Sequence, residues 1–187
     1  MSIRSDRREA AIERMADHVL AEGLSASTLR PLAAAAGTSD RMLLYYFADK
    51  DELLTATLER VAARMIAQLD DAVPEGKPRS FHVLLEEVWA ALGSGEVKPF
   101  MHLWLDLAAG AVRGRLPHRN ISSAIADGFL AWAARRLEPP NEGEAAWSAA
   151  SFLVCIEGML IVEALGRRDI ADRGLAEIAK SLRAVAR

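Results

Sequence analysis

The sequence is poor in the features that would tie it to a membrane or to an oxidising compartment. Its 187 residues include a single cysteine, Cys155, so no internal disulfide can form and a reducing cytoplasm is the expected location. The most apolar run, residues 151–165, is interrupted by Glu157 and Glu163 and falls short of the roughly 20 uncharged residues that a membrane span needs. Residues 1–15 are charged and contain no apolar signal segment. We therefore expect a soluble cytoplasmic protein.

An excess of positive charge is also missing. The net charge is -3, and residues 1–50 balance seven basic against seven acidic side chains. Net charge alone therefore does not indicate a nucleic-acid partner. A hypothesis of DNA binding has to rest on where the charges lie.

The chain lacks the short motifs that carry catalysis. It has no Gly-rich phosphate loop, no HExxH sequence and no nucleophile elbow. Cys155 lies in an apolar run without a neighbouring base, which favours an inert core thiol. His102 and Asp106 are too few for a metal site, and no Cys/His cluster completes one. We expect no enzyme activity, no cofactor and no bound metal.

What the sequence does contain is helix-forming residues at helical spacing. Ala, Leu, Arg and Glu dominate, while alternating Val, Ile and Thr are missing. The predicted helices cover about residues 5–22, 28–36, 39–46, 49–71, 79–93, 97–113, 119–138, 143–166 and 169–186. The predicted fold is all-α: an N-terminal three-helix unit at residues 1–48, followed by a larger helical bundle at residues 49–187.

The second and third helices are short and separated by Gly37, which predicts a helix-turn-helix. Gly37 stands where the backbone usually turns left-handed, and Ala33 is small where the two helices must approach closely. Leu43 and Phe47 are expected to face inward. A helical hairpin that serves only packing is the alternative interpretation.

In a helix-turn-helix the second helix enters the DNA major groove. Its outward residues would be Ser39, Asp40, Arg41, Met42 and Tyr45. Arg41 can donate two hydrogen bonds to guanine, and Met42 or Tyr45 can contact a thymine methyl or a sugar edge. Tyr46 and Lys50 lie near the end of this helix, where they can hold phosphates.

The segment "TLRPLAAAAGTSDRMLLYYFADKDELL", residues 28–54, resembles the DNA-binding segment of TetR-family transcriptional regulators, and the similarity extends over about residues 7–60. The resemblance implies a dimeric, ligand-responsive repressor. It also implies phosphate contacts from Thr28, Ser39, Tyr46 and Lys50, and base contacts from Arg30, Arg41, Met42 and Tyr45. The sequence departs from the family pattern in two places. Leu44 replaces the first tyrosine of the usual Tyr-x-Tyr-Phe ending, and Asp40-Arg41 replaces a more usual Lys-Gly, which leaves the operator sequence open.

The larger bundle is rich in aromatic and methionine side chains, which can fill a core or line an apolar pocket. Polar residues within apolar runs are better indicators of a ligand site, because burial without a partner costs about 1–3 kcal/mol. His102 and Asp106 share a helix face and could orient a ligand or bond each other. The resemblance implies an effector cavity among these helices. The predicted ligand contacts are Trp89, Met101, His102, Trp104, Asp106, Phe129, Trp132, Phe152, Cys155 and Met159.

The last two predicted helices are apolar on more than one face and therefore need to be covered. Pairing with a second copy of the chain would form a four-helix interface and double the base contacts over a palindromic operator. The predicted interface residues are Glu157, Gly158, Ile161, Ile178 and Leu182. The alternative is that both helices cover the core of their own monomer. We expect a homodimeric regulator that binds double-stranded DNA and is released by a small, largely apolar effector; the alternative function is a helical adaptor that binds only proteins.

Overall fold

The computed structural model describes residues 3–139 and 148–185, without the side chains of Ile3, Leu116 and Val185. Within these ranges the chain forms nine α-helices and no strand. They are α1 (Ile3–Glu22), α2 (Leu29–Ala35), α3 (Asp40–Tyr46), α4 (Lys50–Ala72), α5 (Phe81–Leu92), α6 (Lys98–Val112), α7 (Leu116–Ala134), α8 (Ala149–Ala164) and α9 (Arg168–Val185). The predicted all-α fold is confirmed. No helix in the described ranges is long and apolar enough to cross a membrane.

The helices pack as two compact units. The first comprises residues up to Ala67 together with Gly95–Ile125, and the second comprises Gln68–Ser94 together with the described residues from Ala126 onward. Two of the three boundaries fall inside α4 and α7, and the third falls between α5 and α6. The predicted domain boundary after residue 48 was drawn between proposed functions. It is a different kind of boundary from those between packed units, and it stays a prediction.

The core of the first unit is built on the inward stripe of α1. In the first unit α1 packs against α2 and α6, and α2 packs against α3. The side chains that meet there are almost completely buried: Met15, Val19, Leu32, Leu43 and Phe47 are each at most 1% exposed. The apolar spacing of three and four residues along α1 therefore produces one continuous buried face.

A ladder of ion pairs joins α1 to α4. Glu9, Glu13 and Asp17 follow one another at four-residue spacing on α1 and face the arginines at 60 and 64 on α4. Arg60 Nη2 lies 2.6 Å from Glu9 Oε2, and Arg64 Nη1 lies 2.7 Å from Asp17 Oδ1. Both arginines also bond Glu13. We call these five residues the α1–α4 ladder.

The second unit has an aromatic core. The rings of Phe129 and Trp132 stack with centroids 5.5 Å apart, and Phe152 lies 6.0 Å from Phe129 and 5.8 Å from Phe81. Aromatic groups at these separations attract one another beyond the effect of burial alone. Three helices, α5, α7 and α8, are held together by this cluster.

An arginine is buried beside this core. Arg136 is 2% exposed and lies over the Trp132 ring. Its guanidinium donates to Asp70 Oδ1 at 2.5 Å and to the carbonyl oxygens of Val73 and Trp132. The Trp132 indole donates to the same carboxylate oxygen of Asp70. Sequence reasoning did not identify this cluster, because Arg136 and its carboxylate partner are 66 residues apart.

Two boundaries of α7 differ from the prediction. The helix begins at Leu116 rather than near 119, with Pro117 in the first turn, where the missing N–H would have no partner in any case. It ends at Ala134 rather than near 138, because residues 136–138 pair with Arg79 instead: Arg79 N donates to Arg136 O, and Glu138 N donates to Arg79 O. The predicted start of the next helix, near 143, lies outside the described residues; α8 begins after Ser148, whose hydroxyl accepts from Ser151 N.

Candidate nucleic-acid interface and apolar cavity

The corner between α2 and α3 has the geometry that its residues predict. Gly37 adopts a left-handed conformation with φ of +69°, which a side chain would strain. The turn is closed by bonds from Gly37 N to Ala34 O and from Thr38 N to Ala33 O. Ser39 then caps α3, its hydroxyl accepting from Met42 N at 3.2 Å. The predicted helix-turn-helix is confirmed.

The third helix presents two contrasting faces. Leu43 and the following Phe47 are buried, whereas Asp40 and Arg41 are exposed. Met42 is 39% exposed and Tyr45 is 58% exposed. Because Arg41 and Tyr45 are four residues apart, they share the outward face. This is the arrangement expected of a helix that reads DNA.

The predicted phosphate contacts surround this face. Ser39, Thr28 and Lys50 are exposed, as is the predicted base contact Arg30, and all of them can reach a partner outside the chain. Tyr46 is half-buried, with its ring edge-on to that of Tyr45 at 5.8 Å. Their contacts to DNA stay predictions.

Arg4 on α1 is a member of this surface that sequence reasoning missed. Its guanidinium lies 4.6 Å from the centroid of the Tyr45 ring, and its Nη2 donates to the Tyr45 carbonyl oxygen at 3.1 Å. The carbonyl belongs to the last turn of α3, where such oxygens have no partner within the helix. Arg4 therefore fixes both the end of α3 and the position of Tyr45. The only signal in the sequence is the cluster of arginines at the start of the chain.

The start of α4 is capped by two carboxylates. Asp49 Oδ1 accepts from Glu52 N at 2.8 Å, and Glu52 Oε2 accepts from Ala48 N at 2.5 Å. The two bonds form an acidic variant of the capping box, except that the returning bond reaches Ala48 rather than Asp49 itself. These bonds hold Lys50 at the first position of α4, directly after the corner.

The net charge of -3 does not by itself describe the charges around α3, where exposed Arg41 and Lys50 stand beside exposed Asp40 and Asp49. Three of the seven acidic residues in 1–50, namely Glu9, Glu13 and Asp17, are paired within the α1–α4 ladder. Arg41 and Lys50 remain exposed. The electrostatic potential at the surface depends on where the charged side chains lie, not on the net charge of the chain.

An apolar cavity lies in the same unit, among α4, α6 and α7. Its volume is about 320 Å³ with its open mouth included, but the space open to the centre of a water-sized sphere is only about 30 Å³, so the cavity must widen to admit a larger ligand. It is lined by Leu58, Val61, Ala62, Met65, Phe100, Leu103, Trp104, Leu107 and Ile125. Of the predicted ligand contacts, Trp104 lines this cavity, and Met101 is buried on the same helix.

The expected burial of His102 and Asp106 is wrong. Both side chains are exposed and line a separate open groove between α6 and the end of α1, residues 19–23. They are four residues apart on the outer side of α6, while Phe100, Leu103 and Leu107 face inward. The period of the helix determines which side chains face outward, whatever the character of their neighbours in sequence.

The remaining predicted ligand contacts lie in the second unit. Phe129, Trp132, Phe152 and Met159 are buried in its core. Trp89 is also buried; its indole N–H donates to Asp172 at 2.7 Å. Cys155 is half-buried, and burial raises the pKa of its thiol, which keeps it protonated and unreactive. A role for these side chains in ligand binding stays a prediction.

An apolar stripe is exposed along α8. Val154 is 71%, Ile161 49% and Leu165 74% exposed, and Gly158 is exposed between them. Spacings of four, three and four residues place them on one side of the helix. We call these four residues the α8 stripe. The other predicted interface residues, Glu157, Ile178 and Leu182, are half-buried.

Metal ligands are not clustered in the part of the chain that the structure covers. No group of three or more His, Cys, Asp or Glu side chains there could hold a metal ion.

Solved structures with the same fold include two regulators and a drug-binding protein. The multidrug binding protein EbrR, solved in complex with proflavin, is 22% identical with a TM-score of 0.63, and the match covers 89% of this chain and 98% of that one. A putative transcriptional regulator, SCO7518 from Streptomyces coelicolor A3(2), is 20% identical with a TM-score of 0.66, over 92% and 98% of the two chains. A putative TetR-family regulator from Rhodococcus sp. is 23% identical with a TM-score of 0.61, over 94% and 98%. No curated protein matches the chain.

Residues 12–57 match the family model of bacterial regulatory proteins of the tetR family. The matched segment contains the helix-turn-helix and two of the five residues of the α1–α4 ladder, Glu13 and Asp17. Proteins of this family are DNA-binding regulators rather than enzymes. The helix-turn-helix segment is therefore similar to that of tetR-family regulatory proteins, and the fold of the chain is that of the solved structures above.

Proposed function

We propose that the protein is a dimeric repressor that binds a palindromic operator and is released by a small, largely apolar effector. The observation that carries this proposal is the outward face of α3, where Arg41 and Tyr45 are exposed above the buried Leu43. A single seven-residue helix reaches few bases, so useful affinity requires a second copy related by two-fold symmetry.

The α8 stripe supports dimerisation. Three exposed aliphatic side chains on one helix face favour contact with an apolar surface, and the same stripe on a second copy supplies one. We expect Ile161→Glu to convert the dimer to a monomer, measured by light scattering at micromolar concentration. Val112→Glu is the matched control, because Val112 is 89% exposed on α6, outside the stripe. A wild-type monomer, or equal effects of both substitutions, would contradict the proposal.

The cavity among α4, α6 and α7 supports an effector site. Two of its walls adjoin the proposed DNA-binding segment: α4 carries Lys50 and begins three residues after Phe47, and α6 packs against α1. An effector that fits the cavity better when α4 is displaced would favour an arrangement that cannot bind DNA. Only such a difference in affinity between the two arrangements can cause release.

Proflavin is a suitable probe of the cavity, since EbrR was solved with it and Trp104 offers an aromatic ring to stack on it. We expect proflavin to bind the protein in the absence of DNA, with Trp104→Ala weakening its affinity by about threefold to tenfold. His102→Ala is the control, because His102 faces outward on the same helix. An unchanged affinity in Trp104→Ala would place the probe elsewhere.

The function as a whole is tested by selecting DNA from a random pool with the full-length protein. We expect an enriched palindrome whose binding weakens steeply as salt increases. Equal affinity for the enriched and scrambled sequences would refute the regulator and favour the helical adaptor.

A further inference from the structure

Helix α3 carries an exposed leucine, Leu44, beside its proposed base-reading residues. Leu44 is 43% exposed, although it stands between buried Leu43 and half-exposed Tyr45 in sequence. A leucine side chain has no polar group, so it offers only an apolar surface to DNA.

Helical geometry places Leu44 next to Arg41. Successive residues of an α-helix are rotated by about 100° around its axis. Leu43 faces inward, so Arg41 and Tyr45 lie on the opposite, outward side. Leu44 lies on the flank of the helix, next to Arg41. Residues three apart, such as Arg41 and Leu44, have Cβ atoms about 5–6 Å apart. The arginine and the leucine therefore form one contiguous surface.

Tyr45 is less free to offer an apolar face. The Arg4 guanidinium lies over its ring at 4.6 Å and also holds its carbonyl oxygen. One face of the tyrosine ring is thus covered by a cation, and the apolar side chains left beside Arg41 are Leu44 and, on the other side of the outward face, Met42, of which Leu44 is slightly the more exposed.

We propose that Leu44 reads the C5-methyl group of a thymine that lies within two base pairs of the guanine bound by Arg41. The thymine methyl is the apolar group that base pairs present in the major groove. Base pairs are about 3.4 Å apart along the helix axis, so side chains about 5–6 Å apart contact bases one or two steps from each other. The proposal rests on the proposed DNA-binding function and adds a specificity determinant to it.

The test uses the full-length protein and the sequence that it selects from a random pool. Each thymine of one half-site is replaced in turn by deoxyuridine, which removes only the methyl group, and affinities are measured for wild type, Leu44→Ala and Leu44→Met. We expect one uracil substitution, within two base pairs of a guanine, to weaken wild-type binding by about fourfold, as for one buried methyl group. The same substitution should have no effect on Leu44→Ala and a retained effect on Leu44→Met.

Controls separate this proposal from the function on which it rests. Val112→Ala removes an exposed aliphatic side chain outside the DNA-binding segment and should keep the full response to uracil. If the enriched sequence binds well but no uracil substitution matters, or if Leu44→Ala keeps the response, the reading of thymine by Leu44 is refuted while DNA binding stands. If no sequence is enriched, the proposed function itself fails.

Discussion

At the scale of single residues, the most constrained polar group is Arg136. Its guanidinium is almost fully buried and is satisfied by Asp70, two carbonyl oxygens and the Trp132 ring. Asp70 itself is half-exposed and accepts from both Arg136 and Trp132. One surface carboxylate thus supports a buried cation and a buried indole.

Removing that carboxylate should destabilise the protein. We expect Asp70→Ala to lower the free energy of unfolding by about 1–3 kcal/mol, because it leaves the guanidinium and the indole without their acceptor. Urea denaturation measures the change. Asp71→Ala, at the neighbouring exposed position, should have little effect; equal losses in the two variants would show that the Arg136 cluster is not responsible.

Two exposed cations should affect DNA binding in different ways. Arg41→Ala should relax base preference at one position of each half-site, since its donors can pair with guanine edges. Lys50→Ala should weaken binding to all sequences and reduce the slope of log affinity against log salt, since it would neutralise a phosphate. Salt titrations of each variant on the selected duplex and on a scrambled duplex distinguish the two effects. A reduced salt slope in Arg41→Ala with relaxed base preference in Lys50→Ala would reverse the two assignments.

At the scale of helices, α6 and α7 meet at a glycine. Gly110 is buried, and a methyl group built on it would overlap the His118 imidazole ring of α7. The absence of a side chain at Gly110 therefore decides how closely the two helices approach. The opposite case is Gly128 on α7, where an added methyl would meet nothing.

These two glycines make a matched pair. Gly110→Ala should destabilise the fold by about 1–3 kcal/mol through crowding, although alanine favours helix. Gly128→Ala should stabilise it by up to about 1 kcal/mol, because only helix propensity changes. Thermal unfolding of both variants measures the two shifts, and shifts of the same sign would contradict the close contact at Gly110.

Helical elements were largely predictable from sequence, but their contacts were not. The spacing of apolar residues, together with Gly37, predicted the positions of α1 to α4. The same spacing predicted which residues of α3 are buried and which are exposed. The exposure of His102 and Asp106 was missed because burial was inferred from their apolar neighbours in sequence rather than from their position on the helix. Arg136 was missed because burial of a charge depends on a partner that no local pattern reveals.

At the scale of the whole molecule, stability should depend on pH through His118. Burial, followed by the nearby positive charge of Arg115, lowers the pKa of His118 below its ordinary value of 6.5, and Asp51 opposes them. The folded state thus binds fewer protons than the unfolded state in this range. This contribution to stability is complete above about pH 6.5 and is lost as the pH falls through the lower, folded-state pKa.

We therefore expect the free energy of unfolding to decrease between pH 7.5 and 5.5, and to decrease less in His118→Asn. Denaturation at several pH values, compared between the two proteins, provides the check. A steeper decrease in the variant would mean that His118 is stabilised when charged.

The contact between Arg4 and Tyr45 has a practical consequence for experiments. A purification tag fused ahead of residue 1 would lie only a few residues, in sequence, from Arg4, whose side chain contacts the end of α3. With DNA bound to α3 as proposed, a polyhistidine or acidic tag there would add charge and bulk near that face and alter the apparent affinity without any change in the DNA sequence. Binding assays are best made with the leader cleaved off, or with the handle attached to the carboxyl terminus.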